Sequence, residues 1–213
     1  ALKNAAPVRR ELGIRTAFNV LGPLLDPAGA THQLLGVFED RRRETLARVL
    51  AQLGTRRAWV VHGLPCPGAP RGLDEISPCG PSRITELHAD GSCLERELHP
   101  QDVGFEPVAL EALRGGSGAE NAEIARRFFD GERGPVRNAV VLNAACALWV
   151  AERAADLREG RAMAEAALDS GAAKRAARMV FMLRPTALPL QTLFRRMSLT
   201  ATSNDQRMAA YDA

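Results

Sequence analysis

The chain has 213 residues, 46% of them apolar and 25% charged, with a formal net charge of +3, the proportions of an ordinary globular chain able to bury one sizeable core. Lysine occurs only at Lys3 and Lys174, and no block of arginines is interleaved with aromatic residues, which argues against a nucleic-acid surface. No apolar run reaches membrane-spanning length and no signal-peptide pattern is present, while Cys66, Cys79, Cys93 and Cys146 lack the spacing of a zinc or disulfide framework, so free thiols in a cytoplasmic protein are expected.

The chain opens at Ala1 inside what reads as a helix, so a fragment or a processed product is expected. Residues 1–12 read as the end of that helix, stopped at Gly13. Gln33 to Phe38 is a short buried strand. Asp40 then serves as N-cap of a helix on which Leu46, Val49, Leu50 and Leu53 recur at helical spacing up to Gly54. Ala58 to His62 is a second buried strand, and a strand, a helix and a strand in this order imply a βαβ crossover with parallel pairing. After the Pro- and Gly-rich stretch Leu64 to Arg71, Arg83 to His88 and Leu94 to Leu98 read as an antiparallel pair turning at Asp90-Gly91. The sheet is therefore expected to be mixed.

The remainder reads as helical. Pro107 to Leu113 is short, Ala119 to Phe129 is amphipathic, and Pro135 to Ala154 is apolar on most sides, the pattern of a core helix; Leu157 to Ala167 and Ala172 to Met179 follow. Gly115 to Gly118 reads as a flexible joint and not as a phosphate loop, since no strand precedes it. From Val180 on, Pro185, Pro189 and the polar run Thr200 to Asn204 interrupt helical periodicity. The expected division is 1–179 as one α/β domain and 180–213 as an atypical, poorly ordered tail.

Two stretches carry chemistry. Between Pro7 and Pro27, Arg9, Arg10 and Arg15 lead into the pair Gly22-Pro23, flanked by Leu21 and Leu24. Glycine permits an unusual bend and proline fixes the next φ, so cations held beside a fixed, partly apolar loop suit a small planar anion. The same residues are also consistent with a helix that ends in a plain turn. The second stretch is Asp74-Glu75. Adjacent carboxylates after a glycine offer hard oxygen ligands for magnesium, an ion that keeps several waters and bridges to phosphates; an acidic pair on a solvated loop has the same sequence. His62 reads as a packed or capping residue, and Asn121 and Asn143 as structural.

The first stretch resembles the anthranilate phosphoribosyltransferase family, whose members carry V-R-(K/R)-x-L-G-x-R-T-x-F-N-x-L-G-P-L. It matches at Val8, Arg9, Arg10, Leu12, Gly13, Arg15, Thr16, Phe18, Asn19, Leu21, Gly22, Pro23 and Leu24, and the similarity continues almost to residue 179. The family's G-(L/I)-D-E-(V/I)-S motif is matched by Gly72, Leu73, Asp74, Glu75, Ile76 and Ser77. Leu64 to Arg71 adds residues to a connection that the family keeps short.

The resemblance implies an α/β fold, here a partial mixed-sheet domain flanked by helices, with the family's N-terminal helical, dimer-forming domain absent. It implies transfer of phosphoribosyl from phosphoribosyl pyrophosphate to anthranilate in tryptophan biosynthesis, with Mg2+ as cofactor. Arg9 would grip the anthranilate carboxylate, Gly22 and Pro23 would line the aromatic tunnel, and Asp74 and Glu75 would bind the metal; Arg15 and Asn19 would brace the loop. No catalytic acid or base is implied.

The family's G-T-G-G-D and K-H-G-N segments have no counterpart in the chain, so the chain by itself is expected to be inactive. The family is homodimeric, and neither a nucleic acid nor a membrane is expected as a partner. Two other readings stand beside this one. The chain could be a truncated, non-catalytic α/β remnant that binds an aromatic acid or a partner chain. It could also be a relative of the pyrimidine nucleoside phosphorylases, which share the R-T-x-F-N-x-L-G-P-L run in looser form.

Overall fold

The computed structural model describes Leu24, residues 29–64 and residues 72–182, with side-chain surroundings through Arg178. The chain divides into two compact units, Ala1–Ala30 and Thr31–Ala213, and the elements below belong to the second. Four strands form one sheet in the order β1 (His32–Gly36), β2 (Arg57–Gly63), β3 (Ser82–Leu87), β4 (Cys93–Leu98). Strand β1 runs parallel to β2, with Leu34 opposite Trp59 and Gly36 opposite Val61, whereas β2–β3 and β3–β4 are antiparallel. The mixed sheet expected from the sequence is therefore present.

Helix α1 (Arg43–Gln52) links the two parallel strands, since a parallel pair needs a crossover and cannot be joined by a hairpin. Side chains alternate along a strand, and both faces of this sheet are used. Leu35, Ala58 and Val60 are buried on the side that α1 covers with Leu46, Ala47 and Leu50. Trp59, Val61, Ile84 and Leu98 join the larger core built around α3 (Pro135–Val150), with Val140, Val141, Ala145 and Cys146. Helix α3 is buried on most sides, as expected from a segment apolar on most sides, and ends at Val150, short of the expected Ala154. Burial pushes the Cys146 thiol up to about 12, which leaves it an inert packing group at neutral pH.

The remaining helices are α2 (Gly118–Phe129), α4 (Leu157–Asp169) and α5 (Ala172–Met182). Helix α2 starts with a capping box in which the Ser117 amide donates to Glu120 Oε2 at 2.6 Å and the Glu120 amide to Ser117 Oγ at 3.4 Å. Asn121 pins the preceding turn, accepting from the Gly116 amide at 2.9 Å and donating to its carbonyl at 3.0 Å. The glycine run read as a flexible joint is thus tied down by its own helix, and Asn121 is structural as expected. Pro100–Val103 and Leu110–Leu113 form 3-10 turns. Among the described residues no helix is long and apolar enough to cross a membrane.

Two local expectations need correction. Asp40 does not cap α1: it begins a 3-10 turn, Asp40–Arg42, and its carboxylate accepts instead from Arg43 Nε at 2.6 Å and Arg83 Nη1 at 2.7 Å. These guanidinium partners hold the carboxyl of Asp40 below the usual aspartate range against the opposing effect of burial. Leu53 is not in the apolar stripe. The helix stops at Gln52, and Leu53, at the C-cap, is 59% exposed. The expected 180–213 tail overlaps the end of α5, and from residue 183 onward it lies outside the described residues.

The two leucines of α1 therefore separate in their effects. Leu50→Ala, at a fully buried position, is expected to cost about 2–4 kcal/mol through lost burial and a residual cavity. Leu53→Ala should cost less than about 0.5 kcal/mol. Urea unfolding of the two variants measures the difference.

Candidate metal-binding site

The two parallel strands end in glycine, Gly36 on β1 and Gly63 on β2, and the acidic dipeptide is built on these ends. Gly63 and Leu73 exchange two backbone hydrogen bonds, each 2.9 Å, forming an isolated antiparallel bridge just before Asp74. The following residues cross the end of β1 at very short range. A Cβ on Gly36 would stand 1.6 Å from the carbonyl oxygen of Asp74 and 2.4 Å from its carbonyl carbon. No side chain can share that space, so the Asp74-Glu75 backbone rests directly on the strand backbone.

A second clamp comes from α3. Asn143 accepts from the Ile76 amide at 3.0 Å, and its Nδ2 donates to the Ile76 carbonyl at 3.0 Å and to the Ala139 carbonyl at 3.1 Å. The side-chain amide satisfies both backbone groups of a residue that is itself buried, as a neighbouring strand would. Ser77, also buried, donates its amide to Ser82 Oγ at 2.8 Å, tying the segment to the start of β3. Residues Leu73 to Ser77 are thus held from β2, β3 and α3 while they lie on β1.

The carboxylates themselves are left unneutralised. Asp74 is exposed and Glu75 half-buried, and among the described residues neither has a hydrogen-bonding or ion-pairing side chain. Burial, and then the neighbouring charge of Asp74, push the Glu75 carboxyl up from the ordinary 4.5 to about 7. Two acids on a fixed backbone at the carboxyl ends of parallel strands, where ligands of α/β sheets bind, call for a counter-cation. Among the described residues no group of three or more potential protein ligands is assembled. Two carboxylates without a full cage fit magnesium, which completes its octahedron with water and phosphate oxygens.

Of the residues singled out in the sequence, Asp74 and Glu75 are side by side at this position. Arg9, Gly22 and Pro23, like Arg15 and Asn19, lie outside the described residues, as do residues 65–71 of the extended connection. The sequence reading missed Gly36. Its one local signal is that Leu34-Leu35-Gly36, like Val61-His62-Gly63, closes an apolar strand with a glycine.

Residues 1–174 match the glycosyl transferase family, a/b domain. Over 174 residues the chain is 52% identical to the anthranilate phosphoribosyltransferase of Myxococcus xanthus (strain DK1622), covering 82% of this chain and 50% of that protein. It is 50% identical over 173 residues to the protein of the same name from Moorella thermoacetica, covering 81% and 49%. Among solved structures, the anthranilate phosphoribosyltransferase of Thermus thermophilus superposes with a TM-score of 0.68 at 42% identity, over 80% of this chain and 48% of that one. A Saccharomyces cerevisiae enzyme in complex with 4-fluoroanthranilate gives 0.68 at 27%, over 82% and 49%. A variant from the same yeast with Mg bound gives 0.68 at 28%, over 80% and 48%. The chain spans about half the length of the curated relatives it matches.

The raised Glu75 pKa makes a signed prediction. The folded chain holds this proton more tightly than the unfolded chain, so the stabilisation is complete below about pH 4.5 and is lost as the pH rises through about 7. Glu75→Gln should therefore unfold like the parent at pH 4 and be more stable by roughly 1–3 kcal/mol at pH 8. Saturating Mg2+, which favours the ionised acid, should narrow the gap at pH 8 by stabilising only the parent. Urea denaturation at the two pH values, with and without Mg2+, measures both effects.

Proposed function

The chain belongs to the glycosyl transferase family, a/b domain, and from that footing we propose that it serves the transfer of phosphoribosyl from phosphoribosyl pyrophosphate to anthranilate, supplying the metal carboxylates and the grip on the aromatic acid. The observation that carries the reading is the clamped, unneutralised pair Asp74-Glu75 at the ends of β1 and β2. It occurs in a chain 52% identical over 174 residues to an enzyme of that name.

In this reaction the amine nitrogen of anthranilate forms a bond to C1 of the sugar as the bond from C1 to the pyrophosphate oxygen breaks, and the nitrogen then gives up a proton. The ring passes through an oxocarbenium-like state, so the protein's task is to hold the nucleophile in line and to accommodate the charge that gathers on the leaving group. Asp74 and Glu75 would hold magnesium, which supplies neutralising charge to the departing pyrophosphate. Arg9 would take the anthranilate carboxylate through two parallel hydrogen bonds, a geometry that lysine cannot reproduce. Gly22 and Pro23 would flank the aromatic ring. Gly36 and Asn143 do no chemistry; they keep the two acids where the phosphates arrive.

The setting is cytoplasmic in this reading, the partners are small molecules, and the assembled enzyme is a homodimer. The test is a split of kinetic constants in phosphoribosyl transfer by a full-length enzyme in which this chain is joined to the family's G-T-G-G-D and K-H-G-N segments. Arg9→Ala should raise KM for anthranilate by roughly 10–100-fold, the loss of a charged bidentate contact, and change KM for phosphoribosyl pyrophosphate by less than about threefold. Asp74→Asn should do the reverse, weakening the phosphorylated substrate and shifting the Mg2+ requirement upward. Equal effects of each change on both substrates would overturn the assignment.

A further inference from the structure

Gly72, the residue that opens the acidic segment, lies against a side chain that the mechanism above does not use. His62 precedes Gly63 on β2 and is only 6% exposed. It points to the same side of the sheet as Ala58 and Val60, towards α1. Its Nδ1 lies 2.8 Å from the carbonyl oxygen of Val37. A carbonyl only accepts, so Nδ1 carries the proton and donates it. The Val37 amide in turn donates to the Val61 carbonyl at 2.9 Å. The exit of β1 is thus fastened to β2 twice, once by backbone and once through the imidazole.

The adjoining Cε1–Nε2 edge of the same ring faces the acidic segment. A Cβ built on Gly72 would stand 2.1 Å from the Gly63 carbonyl oxygen, 2.4 Å from His62 Nε2 and 2.7 Å from its Cε1. The ring edge and the Gly63 carbonyl together occupy the space that a side chain at 72 would need. Gly72 is followed by Leu73, bonded to Gly63, and then by Asp74 and Glu75. One rigid, planar group touches the strand exit beside Gly36 through Nδ1 and the start of the acidic segment through Cε1 and Nε2.

We propose that His62 is a positioning residue for Asp74 and Glu75, its imidazole spacing the β1 exit from Gly72 so that both carboxylates meet one divalent cation. The proposal rests on the reading of Asp74-Glu75 as a metal site. A histidine that only filled the core would support global stability and leave the local geometry of residues 72–75 unaffected. A spacer fails locally, in the fold that remains.

The test uses the 213-residue chain with Mn2+ as the probe, free ion followed by electron paramagnetic resonance, alongside amide hydrogen exchange at Leu73. His62→Leu removes the donor to Val37 and the planar edge. It is expected to weaken Mn2+ by about 10–100-fold, the usual effect of losing a group that orients a metal ligand, and to lower protection of the Leu73 amide by at least about tenfold, with the β2–β3 ladder still protected. His62→Asn, whose side-chain nitrogen can take the place of Nδ1, should recover most of both losses. If His62→Leu does not fold, His62→Gln, which keeps polar bulk and loses the donor at that position, stands in for it with the same expectation.

Mn2+ binding that depends on Asp74 and Glu75 but is unchanged in the Leu and Gln variants would overturn the proposal and leave the metal site intact. If the parent chain does not take up Mn2+, the metal reading falls, and Leu73 then decides: lost protection supports the spacer, unchanged protection overturns it.

Discussion

The site depends on two stretches of backbone touching where a side chain would ordinarily keep them apart. The Asp74 carbonyl occupies the volume of the missing Gly36 Cβ, and from that contact the rest of the arrangement follows. The acidic dipeptide cannot swing outward, because Leu73 is paired with Gly63 and Ile76 is gripped by Asn143. It cannot settle inward, because β1 is already there. A backbone held in this way has little freedom left to lose, and under the proposed metal reading that preorganisation would favour binding.

Helix α3 connects the site to the core. The residue that clamps Ile76 lies on the same helix that buries Val140, Val141, Leu142 and Cys146, so the core and the acidic segment share a support. The other face of the sheet is stabilised differently. There Arg43, largely buried, reaches Asp40, Thr85 Oγ1 at 2.7 Å and Glu95 at 2.5 Å. On the α3 face, beside Trp59, the fully buried Glu86 is met by Arg57 and Arg96. Glu95, Arg96 and Glu97 also crowd charge onto β4, the last strand of the sheet, which discourages pairing with a further strand.

What could be read in advance tracks how local each determinant is. The two parallel strands announced themselves as short apolar runs and the antiparallel pair by its turn at Asp90-Gly91, and all four observed spans end within a residue or two of the expected ones. Asp40 misled because its carboxylate is drawn by Arg43 and, across the sheet, by Arg83, a partner that no local pattern reveals. Pro100–Val103 went unnoticed because a single polar turn has no periodicity. Asp74-Glu75 was legible as a motif, yet its setting was not. The Asn143 clamp joins residues 67 positions apart, and the contact at Gly36 is an absent Cβ, visible only once two strand ends and a loop are brought together.

The most direct test of this account is anomalous scattering from crystals of the chain grown with Mn2+. The account predicts one strong peak within ligating distance of both the Asp74 and Glu75 carboxylates, with the remaining ligands supplied by water. A peak at some other group of side chains, or carboxylates that turn away from each other with no ion between them, would contradict it.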